Sequence, residues 1–335
     1  MKEIIPIVLV IIGALIGAGF ASGQEIYSFF YAYGIYGIYG IIIMCILLGI
    51  LIYKSLEIIY KRKINNYNDF LGIFIRNLKV RKAVNIVVNI LLLISFFIMV
   101  AGFGAYFKQE IGISKIIGSI ILILLCIFVF SSNIKGVLKV SNIVVPILII
   151  FITFLGFKNI MTISNVRTEI IKKRWLLSSL IYTSYNLILL IPVLISLRKQ
   201  ITKEKNIKLI SVITTMTMLI LSFMIFFLLG KAESSEIEFQ EMPIVYIISK
   251  YFFEYRKIYA FIILVSIFTT AISVGIGFIQ NISNNSKNYP QVVAFMCISS
   301  LIISNFGFSK LINFAYPFFG YAGLIQIFMI LILNI

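Results

Sequence analysis

Runs of about 20 apolar residues recur along the whole chain, and this feature constrains the fold more than any other. A run of that length crosses the hydrocarbon core of a bilayer as an α-helix. Inside lipid, every backbone N–H and C=O must find a partner within the protein, so only helices and closed barrels span. A barrel would show short alternating segments instead. The sequence therefore predicts an all-α polytopic membrane protein.

The composition agrees with this class. The chain is 61% hydrophobic and 12% charged, whereas soluble domains average about 25% charged residues. The net charge of +17 comes from Lys and Arg in the gaps between apolar runs, where they orient the protein and meet anionic lipid rather than nucleic acid. The chain has no histidine, and its three cysteines lie in apolar runs. We therefore expect neither an enzyme nor a resident cofactor.

Ten transmembrane segments are predicted, and more Lys and Arg fall on the N-terminal side of the membrane than on the other side. That imbalance places both termini in the cytoplasm of a multi-pass cell-membrane protein. The basic stretch 54–82 is expected to be a solvated cytoplasmic loop, and 242–257 an interfacial helix. The segments cover residues 4–30, 34–53, 83–107, 116–130, 141–157, 176–197, 209–230, 258–279, 292–306 and 311–333.

Polar and glycine residues interrupt the first segment, where an ordinary membrane helix would be uniformly apolar. A helix can break in the membrane only where the freed backbone groups face protein, water or a ligand, and such a break is typical of transporter binding sites. The same glycines also form two GxxxG patterns, which close helix packing explains without a ligand. The residues concerned are Gly13, Gly17, Gly19, Ser22, Gly23, Gln24 and Glu25.

The second half contains a counterpart, as an inverted repeat of five plus five segments requires. Residues Tyr182–Asn186 place polar groups in the middle of the sixth segment, and Pro146 and Pro317 occupy similar positions in the fifth and tenth. We therefore predict a single transmembrane domain spanning residues 1–335, with repeats at about 4–157 and 176–333 and a linking loop at 158–175. Asn186 has an alternative explanation as an interhelical hydrogen bond.

Hydroxyl groups lie along one face of the eighth segment, at Ser266, Thr269, Thr270 and Ser273. Oxygen ligands of this kind suit a small hard cation such as Na⁺. Alternatively, these hydroxyls bond back to carbonyls of their own helix.

The carboxyl group of Glu25 is expected about 12 Å beyond Gly17 along a regular helix, nearer the outer surface than the midplane. It is either solvated there or, with Gln24, belongs to a gate or a proton-linked site.

Three stretches resemble the YkvI-like family of bacterial membrane proteins: GAGFASGQE in the first segment, SYN in the sixth and FGFSKLINFAYPFFGYAG in the tenth. That family looks like a branch of the amino acid–polyamine–organocation superfamily. The resemblance implies a LeuT-type fold in which helices 1 and 6 are unwound around a central site.

By the same resemblance, substrate would bind at the two unwound stretches. They correspond to Gly17, Ala18 and Gly19 in helix 1, and to Ser184, Tyr185 and Asn186 in helix 6. A sodium ion would be held by the carbonyls of Gly13 and Ile16 together with Ser266, Thr269 and Thr270.

The expected function is secondary active transport of a small organic solute, an amino acid or a related amine, coupled to Na⁺ or H⁺. The expected partners are that small molecule and the lipid bilayer. The alternative is a ligand sensor of the same fold that has lost transport, similar to a spore-germination receptor subunit.

Overall fold

The computed structural model describes residues 3–160, 174–237, 240, 242–283, 288–303 and 308–332, and these residues are α-helical with short connections. The first half contains α1 (Ile4–Leu15), α2 (Ala18–Ala21), α3 (Gln24–Phe29), α4 (Ile35–Lys61), α5 (Tyr67–Gly72), α6 (Leu78–Tyr106), α7 (Lys115–Phe130) and α8 (Asn133–Ile160). The second half contains α9 (Trp175–Leu197), α10 (Lys205–Leu229), α11 (Ser234–Ile237), α12 (Pro243–Tyr251), α13 (Arg256–Ile282), α14 (Tyr289–Ile303) and α15 (Phe308–Ile332).

Six helices of the described part are long and apolar enough to cross a membrane, namely α4, α6, α8, α9, α10 and α13. Four shorter apolar helices lie in α1, α7, α14 and the second part of α15. Each of the ten predicted segments therefore overlaps one of these apolar helices. Most of the predicted linking loop, residues 161–173, lies outside the described residues.

Two interruptions divide the first segment into α1, α2 and α3. At the first, Ile16 (φ −95°, ψ 78°) and Gly17 (φ −86°, ψ −171°) leave the helical conformation. Both φ values are negative, so this turn does not depend on the conformational freedom of glycine. At the second, Gly23 adopts φ 79°, which favours glycine. The chain therefore changes direction twice before Glu25.

The sixth segment is different, because α9 runs from Trp175 to Leu197 as one helix with Pro192 inside it. The expected unwinding at Ser184–Asn186 is wrong for this structure. The polar side chains there bond back to their own helix: the Thr183 hydroxyl donates to the Ser179 carbonyl and the Asn186 amide donates to the Tyr182 carbonyl. Such local bonds satisfy polar groups without breaking the helix.

The stretch 54–82 also differs from the expected solvated loop. The helix α4 extends to Lys61, and the short α5 buries Tyr67 and Phe70. The backbone N–H of Tyr67 donates to the side-chain oxygen of Asn281 in α13, 2.8 Å away. The helix α5 therefore packs against the bundle and closes one end of it.

The centre of the bundle is formed by α9 and α13, the most buried of the long apolar helices. The helix α9 packs against α4 and α15, whereas α13 packs against α6 and α8. The helix α1 contacts both α9 and α13, so the interruption at residues 16–17 faces the middle of the molecule.

Candidate functional site

A small internal cavity lies beside the interruption between α1 and α2. Its volume is about 30 Å³, which is room for one or two water molecules or a single ion. Residues from six helices and the α1–α2 turn line it: Ala14, Leu15, Gly17, Glu25, Ser95, Met99, Tyr185, Asn186, Leu189, Leu190, Thr270, Val274 and Tyr316. Acidic, polar and apolar groups thus line one small space.

Glu25 provides the one ionisable carboxyl group among these lining residues, and it is only 4% exposed. Its Oε2 atom accepts hydrogen bonds from the hydroxyls of Tyr182 at 3.1 Å and Tyr185 at 2.5 Å. Tyr316 is a further hydrogen-bonding partner of the carboxyl group. All three tyrosines come from α9 and α15, so Glu25 joins the first segment to the second half of the chain.

The expected position of Glu25 near the outer surface is wrong. That estimate assumed a regular rise of 1.5 Å per residue beyond Gly17. The turns at Ile16–Gly17 and Gly23 instead fold the chain back, so Glu25 and Gly17 line the same cavity. The solvated alternative for this carboxyl group is therefore wrong as well.

Aromatic rings form one wall of the site. The ring of Tyr185 stacks on that of Tyr316 with centroids 5.0 Å apart and an interplanar angle of 12°. Tyr182 meets Tyr185 edge-on at 5.2 Å and also contacts Phe29 and Phe30. The rings hold the hydroxyls that bind Glu25 in fixed positions.

The three residues of the first segment that were expected to bind substrate, Gly17, Ala18 and Gly19, lie in different environments. Gly17 lines the cavity, and a Cβ built there would lie 3.5 Å from the Thr270 side chain. Gly19 lies directly against the Glu25 carboxyl group, and a Cβ there would overlap with it. Ala18 is fully buried and is not among the lining residues.

Tyr185 and Asn186 of α9 line the cavity, but Ser184 does not. The Ser184 hydroxyl donates to the carbonyl of Gly320 in α15, 2.5 Å away, and to the Ile181 carbonyl of its own helix. Ser184 therefore lies in the α9–α15 contact. The Asn186 amide bonds within α9, so the expected interhelical hydrogen bond is not the one observed.

Three of the residues expected to hold a cation meet where α1 ends against α13. The Thr270 hydroxyl lies 2.8 Å from the carbonyl oxygen of Gly13 and 3.1 Å from that of Ile16, and donates to them. These three oxygens converge beside the cavity, and oxygen is the donor that a hard cation prefers.

The hydroxyls of Thr269 and Ser266, also expected in that site, bond back to carbonyls of their own helix instead. Thr269 donates to the Ser266 carbonyl at 3.1 Å, and Ser266 donates to the Ile263 carbonyl at 2.8 Å. Both bonds lie within α13. Thr269 does pack against Gly13, whose missing Cβ would lie 3.3 Å from the Thr269 Cβ.

Gln24 is the remaining residue expected at a gate. It is partly buried at the start of α3 and is not among the residues lining the cavity. Its Oε1 atom is buried without a hydrogen-bond partner among the described residues.

Sequence reasoning missed Ser95, Met99 and Tyr316 among the residues that line the cavity, and it placed Tyr182 in the polar cluster of the sixth segment without a binding role. Ser95 is a single hydroxyl in an otherwise apolar part of α6, and such an isolated polar residue could have indicated a position facing the site. Tyr316 could not be found in this way, because one tyrosine among 18 carries no positional signal.

No family model matches the chain. Two proteins of Bacillus subtilis (strain 168) match it over most of their length. The membrane protein YkvI is 29% identical over 328 residues, which cover 94% of this chain and 91% of YkvI. The protein YyaD is 24% identical over 319 residues, which cover 93% and 91% of the two chains.

Solved structures of the manganese transporter of Eremococcus coleocola are similar in fold. The complex with an aromatic bis-isothiourea substituted compound has a TM-score of 0.60 and 13% identity, covering 97% of this chain and 76% of the transporter. A mutant of that transporter has a TM-score of 0.56 and 14% identity, covering 89% and 68%. The chain is a multi-pass membrane protein with the fold of these transporter structures, and its resemblance to the YkvI-like family is confirmed.

Proposed function

We propose that the chain is a secondary active transporter of a small organic solute, an amino acid or a related amine, working by cation-coupled alternating access. The observation that carries this proposal is the small cavity at the interruption between α1 and α2, where Glu25 is buried among tyrosine hydroxyls. A binding site of this form at an interrupted helix in the middle of a bundle is typical of secondary transporters.

The size of the cavity supports an alternating mechanism. About 30 Å³ is too small for an amino acid, so a solute enters only when the helices around the site separate. The packing suggests how they divide: α4 packs with α9 and α10, whereas α6 packs with α13. We propose that the first group, with α1, rocks against the second.

Cation coupling would act through the contact between α1 and α13. The Gly13 and Ile16 carbonyls meet Thr270 there, next to the cavity that Thr270 also lines. A cation bound to these oxygens would hold α1 against α13 and so favour one arrangement of the two groups. Glu25 is the second candidate, as a proton-linked carboxyl group, and we propose that both termini are cytoplasmic.

Manganese, the ion named for the transporter of similar fold, is not proposed for this chain. Transition-metal sites draw on imidazole, thiolate and carboxylate ligands. The sequence has no histidine, and the described residues contain no group of three or more His, Cys, Asp and Glu side chains.

The proposal is tested with the purified full-length chain, by thermal shift against a panel of amino acids and amines in sodium chloride and in potassium chloride. A ligand at 100 times its Kd should stabilise the protein by about 2.7 kcal/mol. Counterflow of the best ligand is then measured in proteoliposomes. We expect saturable uptake that Gly17→Leu abolishes, because the larger side chain fills the cavity.

Gly17→Ala is the matched control, since its Cβ would make only an ordinary 3.5 Å contact with Thr270. If a ligand stabilises the protein but no counterflow is measured, the chain binds the ligand without transporting it, as the sensor alternative predicts. Absence of both responses across the whole panel would contradict an amino acid or amine as the solute.

A further inference from the structure

The carboxyl group in the cavity has no basic partner in the described part of the chain. The ion pairs there join Lys61 to Glu57 and Glu204, and Lys250 to Glu236. No Lys or Arg is among the residues lining the cavity. Removing a carboxylate from water is costly unless an opposite charge compensates it. Neutral tyrosine hydroxyls stabilise the group without cancelling its charge.

Glu25 keeps the capacity to bind a ligand. The hydrogen bonds from Tyr182 and Tyr185 both end on Oε2, and Tyr316 is the third hydrogen-bonding partner of the carboxyl group. A carboxylate offers about four acceptor positions on its two oxygens, so about one position remains for a donor from a ligand. The other polar lining groups are neutral hydroxyls and an amide, at Ser95, Asn186 and Thr270. The cavity therefore carries one negative charge when Glu25 is ionised.

The rest of the lining also suits an organic cation. The stacked rings of Tyr185 and Tyr316 are next to the carboxyl group, and aromatic faces attract ammonium groups. Apolar side chains such as Leu189, Leu190 and Val274 form the remaining wall. The ammonium group of an amine would contact the carboxyl group and the aromatic rings, and its apolar part would pack against the apolar side chains.

A zwitterionic amino acid matches this lining less well. It would bring a second carboxylate next to Glu25, while its single ammonium group could compensate only one of the two. We infer that the ligand of this cavity is a small amine of net charge +1 without a carboxylate, and that Glu25 binds its ammonium group. This inference rests on the proposed transport function and narrows its substrate class.

Matched ligand pairs test the inference directly. Leucine is compared with 3-methylbutylamine, and phenylalanine with 2-phenylethylamine; in each pair the second compound lacks only the carboxyl group. Binding to the purified full-length chain is measured by calorimetry and thermal shift in potassium chloride. We expect each amine to bind at least tenfold more tightly than its amino acid. Equal or tighter binding of the amino acids would overturn the inference.

Glu25→Gln keeps the shape of the side chain and removes its charge. We expect it to weaken amine binding at least tenfold and to abolish the difference within each pair. Glu236→Gln removes the same charge from α11, whose residues do not line the cavity, and should leave both affinities unchanged. An amine affinity within twofold of the unmodified protein in Glu25→Gln would refute the role of Glu25. If Glu25→Gln is not monodisperse, the affinity of Glu25→Asp for the amines replaces it as the test of the carboxyl position. The matched ligand pairs on the unmodified chain still test the preference for an amine.

An inorganic cation is the competing occupant of the same negative charge. If no amine binds, and Na⁺ or K⁺ stabilises the unmodified protein but not Glu25→Gln, the amine assignment is overturned. Transport of an amino acid that is unaffected by Glu25→Gln would overturn this inference and leave the transport proposal intact. The two failures are therefore distinguishable.

Discussion

The carboxyl group of Glu25 lies against Gly19, in the space that a Cβ at position 19 would occupy. Gly19 lies in α2, two residues beyond Gly17, and Glu25 lies in α3 beyond the turn at Gly23. The missing side chain at position 19 thus allows the carboxyl group to reach the tyrosines of α9.

Gly19→Ala should displace the Glu25 carboxyl group and weaken ligand binding. The helical backbone at position 19 accepts alanine, so the expected effect falls on the site rather than on the fold. We expect an affinity loss of about tenfold, equivalent to ~1.4 kcal/mol, measured by calorimetry with the best ligand of the panel. Gly17→Ala adds the same methyl group without an overlap and serves as the control. Equal affinities in the two variants would contradict the close contact between Gly19 and Glu25.

Thr270→Val should lower stability and remove any dependence of ligand binding on Na⁺. The substitution keeps the shape of the side chain but removes the hydroxyl that lies between the Gly13 and Ile16 carbonyls. Leaving buried acceptors without a partner costs about 1–3 kcal/mol, which a thermal melt with and without Na⁺ would detect.

Thr269→Val is the matched control for that prediction. The Thr269 hydroxyl bonds only to the Ser266 carbonyl of its own helix, so we expect a smaller loss and an unchanged response to Na⁺. A sodium response that persists in Thr270→Val would rule out this cation site.

Ser184→Ala should destabilise the protein without changing ligand affinity. The Ser184 hydroxyl joins α9 to the Gly320 carbonyl in α15 and does not line the cavity. Loss of one such hydrogen bond costs about 1 kcal/mol. The test is a lower melting temperature together with an unchanged Kd. A weaker Kd at equal stability would return Ser184 to the substrate site.

The ion pair between Lys250 in α12 and Glu236 in α11 should give a small, pH-dependent contribution to stability. The hydrogen bond from Lys250, 2.6 Å long, lowers the pKa of the Glu236 carboxyl group. A lowered pKa in the folded state means that the contribution is present above the ordinary carboxyl pKa. It is lost as the pH falls through the lowered value.

The measurement is the melting temperature of the unmodified protein and of Glu236→Gln across the acidic range. The two curves should lie slightly apart at neutral pH and meet in acid. High salt should also bring them together, because exposed ion pairs are weak and screened. A difference that persists in acid would mean that Glu236 stabilises the protein in some other way.

The helices themselves were largely predictable from the apolar runs, since each predicted segment overlaps an apolar helix. Their ends were less predictable. The helix α4 extends eight residues beyond Tyr53 into a basic stretch, because a helix does not stop where its hydrophobic face stops. The burial of Tyr67 in α5 depends on Asn281, which is 214 residues away in sequence.

The site was predictable only in part. Gly17, Tyr185, Asn186 and Thr270 were expected at binding sites and line the cavity. The expected unwinding of the sixth segment is wrong, because the polar side chains of Thr183 and Asn186 donate to backbone carbonyls within α9. A polar cluster in an apolar run therefore identified the right helix and the wrong backbone conformation.

The sequence by itself determined that this protein is helical and lies in a membrane, since long apolar runs in lipid must satisfy their backbone groups internally. It also supplied the chemistry, with one carboxyl group beside a glycine-rich break and no histidine. Only the tertiary structure decided which of these groups come into contact. Two turns fold Glu25 back toward Tyr182 and Tyr185, and Thr270 reaches Gly13 across 257 residues of sequence. Such contacts depend on how whole helices pack, which no local pattern of residues encodes.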